Sequence, residues 1–342
     1  MIARTYPIWQ TPTWQKELAQ AIRDPEILLN RLNLSLHQLP EQYQACKQFP
    51  LRVTESYLSR MRVGDPKDPL LLQILPQPQE LEQINGYAAD PIGDQESIAL
   101  PGLLHKYEGR CLLITTASCA IHCRYCFRRH FPYQKSQLDG KSLTQALTYI
   151  ATDTSLSEVI LSGGDPLSLS DERLAHLVSK LNNIPHLKRL RIHTRQPVVL
   201  PSRITSELIE TLTGSRLQTV VVLHFNHVNE FDNQVECAIN KLAHRNITLF
   251  NQSVLLKGIN DSASSLKRLS EKLFEQRIIP YYLHRLDKVS GAAHFDIPLK
   301  QARQLHQKLS ATLPGYLVPT LVQEQAGEPN KTAITQPLHE NK

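Results

Sequence analysis

The sequence lacks any apolar run long enough to cross a bilayer, and its amino terminus lacks the apolar core of a signal peptide. It also lacks any block of five or more like charges, and 38 basic against 32 acidic residues leave a net charge of only +6. A charge excess this small is typical of a solvated surface rather than of a nucleic-acid-binding protein. We therefore expect a cytoplasmic protein that binds neither a membrane nor nucleic acid.

The chain also lacks a pattern of paired cysteines, because three of its six are committed to one loop and Cys46, Cys111 and Cys237 are scattered, which fits a reducing compartment. The three in one loop, Cys119, Cys123 and Cys126, stand in one run and are separated by three and two residues. Three thiolates can hold an iron-sulfur cube while its fourth iron keeps an open coordination position for a small molecule. This spacing therefore predicts a [4Fe-4S] cluster that takes part in chemistry.

Two simpler explanations of the cysteine run are structural zinc and a redox disulfide. Zinc needs four ligands, and His122 and His130 could complete the set. The context favours the cluster, because the apolar run 111–117 predicts a buried strand and the cysteines occupy the loop that leaves its end. Catalytic loops lie at that end of the strands in β/α barrels.

From residue 111 onward, strand-like apolar runs alternate with helical patterns, which is typical of repeated βα units. The predicted strands are 111–117, 158–162, 190–193, 219–225, 247–256 and 279–283. The predicted helices are 143–150, 171–181, 206–212, 233–242, 264–274 and 299–313. This alternation predicts an α/β fold with a parallel, partial (β/α)6 barrel similar to a TIM barrel. Periodicity alone supports a flavodoxin-like open sheet almost as well.

The remaining sequence divides the chain into three predicted parts. Residues 1–100 are punctuated by prolines and predict a helical amino-terminal region, with a linker or turn at 75–78. We expect the barrel in residues 101–298 and a carboxyl-terminal helix and tail in residues 299–342. No internal repeat is visible in the sequence.

The cysteine run, with Tyr125 before the last cysteine, resembles the signature of the radical S-adenosylmethionine (SAM) superfamily. The resemblance implies a six-unit partial barrel whose cluster binds the amino and carboxylate groups of SAM. One-electron reduction would then release a 5'-deoxyadenosyl radical. One βα unit later, Gly163, Gly164 and Asp165 resemble the element that binds the amino group of SAM. Taken alone, such a turn indicates only a reversal of the chain.

Four further runs resemble the lysine 2,3-aminomutases in order and separation, and the match extends from residue 101 to residue 331. These runs are 101–107, 194–199, 224–230 and 251–256. Within that family the sequence is most similar to the short aminomutases that form (R)-β-lysine for elongation factor P. The resemblance also implies that Gln252, in the last run, binds a cofactor.

Members of this family hold a second cofactor, pyridoxal 5'-phosphate (PLP), in a covalent linkage to a lysine near the carboxyl terminus. The matching residue is Lys331, although the Glu-Pro-Asn before it departs from the glycine run of the longer clostridial enzymes. Without the resemblance, a lysine in a polar tail indicates only a surface charge. Lys106, Tyr107 and Arg110 match positions near the PLP.

The resemblance also assigns residues to the substrate. Arg128 matches an arginine that pairs with the substrate carboxylate, a bidentate role suited to a planar guanidinium. Asp287 matches an acid that receives the ε-ammonium of lysine, and Glu324 falls where the longer enzymes have a second acid. Two carboxylates favour a cationic side chain over glutamate. The implied reaction converts free L-α-lysine into β-lysine, by hydrogen abstraction at C3 and migration of the amino group from C2 to C3.

The implied partners are an electron donor such as flavodoxin or ferredoxin and, functionally, the ligase that attaches β-lysine to elongation factor P. Three alternatives stay open. They are an aminomutase for glutamate or arginine, a radical SAM methyltransferase or RNA-modifying enzyme, and a non-catalytic metal-binding interaction protein. Asp287 together with Glu324 argues against glutamate. The interaction protein would bind zinc, and it would neither cleave SAM nor hold PLP.

Overall fold

The computed structural model describes residues 13–136, 138–243 and 245–334. Residues 13–58 hold four helices, α1 (Thr13–Ala19), α2 (Pro25–Arg31), α3 (Leu39–Gln48) and α4 (Glu55–Leu58). The side chains of Asp24 and Thr54 accept backbone N–H groups at the first turns of α2 and α4, which fixes where these helices begin. Residues 59–97 are turns and two short 3-10 helices, so the helical part of the predicted amino-terminal region ends at Leu58.

The segment 75–78 is a turn that leads into the 3-10 helix Pro78–Leu81. It is packed into the protein rather than exposed as a linker, because Ile74 and Leu75 are buried where the chain enters it. Glu80, within the 3-10 helix, is buried as well.

A single sheet of ten strands organises the described residues, and its strands follow one another in chain order. They are β1 (Ile98–Leu100), β2 (Leu103–Tyr107), β3 (Arg110–Thr116), β4 (Glu158–Gly163), β5 (Arg189–Thr194), β6 (Gln218–Leu223), β7 (Thr248–Val254), β8 (Ile279–His284), β9 (Thr320–Gln323) and β10 (Thr332–Ala333). Strands β3 to β9 pair in parallel, whereas β1 and β2 at one edge and β10 at the other pair antiparallel.

Helices follow the parallel strands as the sequence predicts. In chain order they are α5 (Gly140–Thr152), α6 (Asp171–Asn182), α7 (Gln196–Val199), α8 (Ser206–Thr213), α9 (Asn233–Ala243), α10 (Ala263–Glu275) and α11 (Leu299–Ser310). The six predicted strands and six predicted helices are confirmed, within a few residues at each end. The sheet contains one parallel strand more than predicted, β9, so the described barrel has seven parallel strands.

The core runs through the barrel and the amino-terminal helices without interruption. All six residues of β4 are buried, as expected for a central parallel strand that is covered on both faces. Trp14 and Leu28 of the amino-terminal helices belong to the same hydrophobic cluster as Leu113 and Leu161 of the barrel. The predicted division at residues 100 and 298 stays a prediction.

The parallel strands place their carboxyl ends at one edge of the barrel, where the loops after them converge. Both the cysteine loop, which follows β3, and the Gly163–Asp165 turn, which follows β4, lie there. None of the helices in the described ranges is long and apolar enough to span a membrane.

Candidate active site

A cavity of about 490 Å³ lies inside the barrel, and every site residue that the sequence predicts contributes to its wall. These residues are Lys106, Tyr107, Arg110, Cys119, Cys123, Cys126, Arg128, Gly163, Gly164, Asp165, Gln252, Asp287, Glu324 and Lys331. They come from segments as far apart in the chain as β2 and the residues just before β10. The tertiary fold therefore brings the predicted cluster, cofactor and substrate residues into one cavity.

The amino-terminal region holds the cysteine loop in place through its backbone. The backbone N–H of His122 donates to the carbonyl of Arg52 at 3.0 Å, and that of Arg124 donates to the carbonyl of Gln73 at 2.9 Å. A further backbone bond, from Cys126 to the carbonyl of Cys123 at 3.0 Å, closes the loop on itself. The three cysteines are thus presented by a loop with few conformational choices.

A buried ionic cluster adds to this support. Glu80 Oε2 accepts hydrogen bonds from Arg124 Nη2 at 2.6 Å and from Arg129 Nη2 at 2.7 Å, and all three side chains are fully buried. Both guanidinium groups also lie within 5 Å of the centre of the Phe49 ring, at 4.9 Å and 4.8 Å. The two arginines beside the cysteines are therefore structural in this protein, because both pair with the same buried carboxylate.

The histidines that could complete a zinc site are engaged elsewhere. The ring of His122 stacks on Phe49, its Nδ1 lies 2.8 Å from the carbonyl oxygen of Pro50, and burial lowers its pKa to about 4. His130 Nε2 lies 3.1 Å from the carbonyl oxygen of Ser290. Throughout the described ranges, no three His, Cys, Asp or Glu side chains are arranged around a single metal ion.

The thiols themselves fit a multi-iron centre better than free cysteines. Burial raises the pKa of Cys126 to about 11 and also raises that of Cys119 well above its usual value. Buried thiols do not ionise unaided at neutral pH, whereas a metal centre stabilises the thiolate form. The three cysteines line one cavity together, as the ligands of one cluster must.

The two glycines after β4 allow the cysteine loop to approach closely. A Cβ atom on Gly164 would lie 2.5 Å from the carbonyl oxygen of Ser118, and one on Gly163 would lie 2.7 Å from that of Thr116. Gly163 also has a φ of +119°, which residues with a side chain rarely adopt. The glycines therefore serve first to pack the β4 turn against the backbone that carries Cys119.

The carboxylate of Asp165 is already fully engaged by the protein. Oδ1 accepts from Thr194 Oγ1 at 2.7 Å and from the backbone N–H of Leu167 at 3.1 Å, and Oδ2 accepts from the backbone N–H groups of Arg195 at 2.7 Å and Gln196 at 3.2 Å. Burial raises the pKa of Asp165, and these donors oppose the rise. The side chain joins the ends of β4 and β5. Its contact with the amino group of SAM stays a prediction.

Lys331 is held by an ion pair with Glu324. Its Nζ donates to Glu324 Oε2 at 2.6 Å, while Oε1 accepts from Lys106 Nζ at 2.8 Å and from the Tyr107 hydroxyl at 3.0 Å. Burial opposes ionisation of Glu324, but the ammonium groups of Lys331 and Lys106 hold its pKa well below the usual range. Lys331 is consequently an ordered cavity residue and not a surface charge.

The pKa of Asp287 is shifted in the opposite direction to that of Glu324. Its Oδ1 is buried and has no hydrogen-bond partner among the described residues. Burial raises the pKa of this carboxyl group to about 7. Arg128, by contrast, is paired, because its Nε donates to Asp94 at 2.7 Å and its Nη1 to Ser162 at 3.0 Å. The cavity wall therefore offers one unsatisfied carboxylate oxygen, which fits a cationic ligand group.

Sequence reasoning missed a buried polar network around Arg195. The network contains Tyr57, Gln73, Tyr125, Arg195, His224, Asn226 and Glu230. Arg195 follows β5 directly, and its Nη1 lies 2.7 Å from the Sγ of Cys123. The sequence signal that could have identified Arg195 is its position at the carboxyl end of a predicted barrel strand.

Comparisons with known proteins agree with this geometry. A family model described as a 4Fe-4S single cluster domain matches residues 108–194. An L-lysine 2,3-aminomutase from Haemophilus influenzae is 50% identical over 325 residues, which cover 95% of this chain and 96% of that protein. One from Escherichia coli is 47% identical, with 94% of each chain covered, and one from Clostridium subterminale is 34% identical, with 98% of this chain and 82% of that protein covered. Identity of this degree along nearly the whole chain means that the protein belongs to the family of L-lysine 2,3-aminomutases.

Proposed function

We propose that this protein is a radical SAM, PLP-dependent isomerase that converts L-α-lysine into β-lysine. The observation that carries the proposal is the composition of the single cavity described above. Its wall contains both the three-cysteine loop and Lys331, together with the carboxylates of Glu324 and Asp287. The relatives named L-lysine 2,3-aminomutase, at 47% and 50% identity, support the same reaction.

The residues that would hold the cofactors differ in chemistry. The thiolates of the three cysteines suit a [4Fe-4S] cluster that binds SAM, and the amine of Lys331 suits a covalent linkage to PLP. Lys106 and Arg110 line the same cavity and offer positive charge to a phosphate group. When bound, the cluster and SAM supply the one-electron chemistry that removes hydrogen from C3, and PLP carries the migrating amino group.

The protein's own part is to bind and orient the substrate. Asp287 offers its unpaired carboxylate oxygen to the ε-ammonium, which favours lysine over glutamate, whereas Glu324 is already paired with Lys106 and Lys331. Glu324 also holds the Lys331 amine in one position through the 2.6 Å contact. Arg128 lines the cavity beside its pair with Asp94, and a contact from its guanidinium to a substrate carboxylate would favour free lysine over a peptide-linked residue.

Apolar side chains complete the wall and keep the reacting groups away from bulk water. They include Ile92, Leu104, Ile160, Val222 and Leu286. Exclusion of water by bound cofactors and substrate would strengthen each charge interaction in the cavity and protect reactive species from side reactions.

We extend the proposal to the product and partners. The product would be (R)-β-lysine, used by the ligase that modifies elongation factor P, and flavodoxin or ferredoxin would reduce the cluster. The similarity of the sequence to the short elongation factor P aminomutases supports this assignment. A cytoplasmic location is supported by the six cysteines, all described and none in a disulfide.

The test is anaerobic reconstitution with iron, sulfide and PLP, followed by reduction in the presence of SAM and L-lysine. Chromatography should detect β-lysine together with 5'-deoxyadenosine. Parallel reactions with L-arginine and L-glutamate should give no β-amino acid. SAM cleavage with no β-lysine would overturn the substrate assignment, and absence of both products would overturn the radical assignment.

Cys123→Ala and Lys331→Ala are the matched variants for this assay. We expect Cys123→Ala to abolish the brown cluster absorbance and SAM cleavage. Lys331→Ala should keep the cluster and lose β-lysine formation, because only the PLP linkage is removed.

A further inference from the structure

Arg195 stands between a cysteine of the predicted cluster and a buried carboxylate. Its side chain is only 6% exposed. On one side, Nη1 donates to Cys123 Sγ at 2.7 Å and to the Tyr125 hydroxyl at 2.8 Å. On the other side, Nη2 donates to Glu230 Oε1 at 2.5 Å and to Gln73 Oε1 at 2.6 Å.

Glu230 is held in its ionised form by the surrounding protein. It is fully buried, and its Oε2 accepts the backbone N–H groups of Asn226 at 2.7 Å and of His227 at 3.2 Å. Burial raises the pKa of Glu230, but Arg195 and these donors outweigh that effect and lower it. The guanidinium of Arg195 therefore lies between a fixed negative charge and a cysteine sulfur.

The sulfur of a cluster ligand is sensitive to this environment. Hydrogen bonds to cluster sulfurs and the net charge around them set the reduction potential of an iron-sulfur centre. Reduction adds one negative charge to the cluster, so a neighbouring positive charge favours the reduced state and a neighbouring negative charge opposes it. Both kinds of charge are present here within one hydrogen-bonded chain, from Cys123 through Arg195 to Glu230.

We propose that Arg195 and Glu230 form a charge pair that sets the reduction potential of the cluster held by Cys123. Arg195 raises the potential through its hydrogen bond to the sulfur, and Glu230 limits that rise by neutralising the guanidinium. Arg195 is thus a positioning residue for the cluster. The inference rests on the proposed function only in requiring a [4Fe-4S] cluster at the three cysteines.

The experiment is a potentiometric titration of the reconstituted full-length protein, with the reduced cluster followed by electron paramagnetic resonance. Glu230→Gln should shift the midpoint potential to a more positive value, because it leaves the charge of Arg195 uncompensated. Arg195→Gln should shift it to a more negative value, because it removes the donor and leaves Glu230 charged. We expect each shift to change the ratio of reduced to oxidised cluster about tenfold at a fixed potential, which is about 59 mV for one electron.

The double variant Arg195→Gln/Glu230→Gln should return close to the wild-type potential, since the pair is replaced by neutral amides. Arg203→Gln is the control, because Arg203 is also fully buried and paired, with Asp171 at 2.8 Å, but does not line the cavity. It should leave the potential unchanged.

Opposite shifts from the two single variants would support the charge pair, since simple loosening of the site moves both in the same direction. Midpoint potentials equal to that of the wild type, or shifts of the same sign in the two single variants, would overturn the proposal. If Arg195→Gln does not retain a cluster, the sign of the Glu230→Gln shift decides the question alone. Failure of the wild-type protein to assemble any cluster would overturn the proposed function, and this inference with it.

Discussion

Asp287 and Glu324 are two carboxylates in one cavity whose ionisation the protein perturbs in opposite directions. Glu324 faces the ammonium groups of Lys106 and Lys331, which hold its pKa well below the usual range. Asp287 has a buried oxygen with no partner in the described residues, and burial raises its pKa to about 7. Glu324 is therefore charged at any physiological pH, whereas Asp287 becomes charged when a cation joins it.

Lysine binding should accordingly weaken as the pH falls through 7. Below its folded-state pKa Asp287 is protonated, and it must release that proton before it pairs with an ammonium group. We expect the dissociation constant of L-lysine for the PLP-loaded protein to rise about tenfold between pH 8 and pH 6. Equilibrium titration without reductant measures it.

The variant that tests this is Asp287→Asn. It should bind lysine weakly at every pH and lose the pH-dependent component, since no titrating group remains at that position. The control is Asp261→Asn, because Asp261 accepts a backbone N–H from Gly258 and does not line the cavity. A steep pH dependence that persists in Asp287→Asn would contradict the assignment.

Lys331 should carry the covalent PLP. Its amine is held at 2.6 Å by Glu324 Oε2, while the other amine on that carboxylate, Lys106 Nζ, lies at Oε1. We expect Lys331→Ala to lose the absorption band of lysine-linked PLP while keeping the iron content of the wild type. Lys300→Ala, at an exposed position of α11, should retain the band. Persistence of the band in Lys331→Ala would mean that another lysine holds PLP.

The cysteine loop after β3 and the turn after β4 lie so close together that there is no room for a side chain at Gly164. Backbone atoms of Ala117 and Ser118 lie within 3 Å of where a Cβ on Gly164 would stand. Because these contacts are with backbone rather than with flexible side chains, neither element can yield without moving Cys119.

Gly164→Ala should therefore displace the cysteine loop. We expect destabilisation of about 1–3 kcal/mol from overpacking, together with a clear loss of iron after reconstitution. Gly140→Ala is the matched control, because a Cβ at the start of α5 would meet nothing within 4 Å. Thermal unfolding and iron analysis of both variants make the comparison, and wild-type iron content in Gly164→Ala would refute the packing argument.

In the molecule as a whole, the amino-terminal region is part of the barrel's active site rather than an appendage. The carboxylate of Glu80 pairs with Arg124 and Arg129 on either side of the last cysteine, and the three side chains are fully buried. Tyr57 and Gln73 reach Arg195 through hydrogen bonds of 3.3 Å and 2.6 Å. The cysteine loop is thus enclosed between the strand ends and the amino-terminal region.

Glu80→Gln should destabilise the folded protein strongly. Removing the charge leaves two buried guanidinium groups without their counterion, and breaking a buried pair costs about 3–5 kcal/mol. Denaturant unfolding measures the free energy directly. Glu55→Gln, which disturbs the exposed pair with Arg31, should change it by less than about 1 kcal/mol. Similar effects of the two variants would show that the buried cluster contributes no more than a surface pair.

The succession of strands and helices is predictable from the sequence because its signals are local. Apolar runs and helical periodicity place six strands and six helices within a few residues of their observed bounds. The sequence does not predict β9 (Thr320–Gln323), because a strand of four residues is too short to show a clear alternation of apolar and polar side chains. Only pairing with β8 makes it a strand.

The chemistry-bearing residues can be identified along the chain, because the cysteine spacing and the family motifs are contiguous runs. The contacts that those residues make depend on the tertiary structure. In the folded protein, the Asp165 carboxylate accepts a hydrogen bond at the end of β5, and Glu80 forms an ion pair with the cysteine loop. Arg195 contacts the sulfur of Cys123. Such contacts join side chains that are tens of residues apart, and their existence depends on the packing of whole elements rather than on any local pattern.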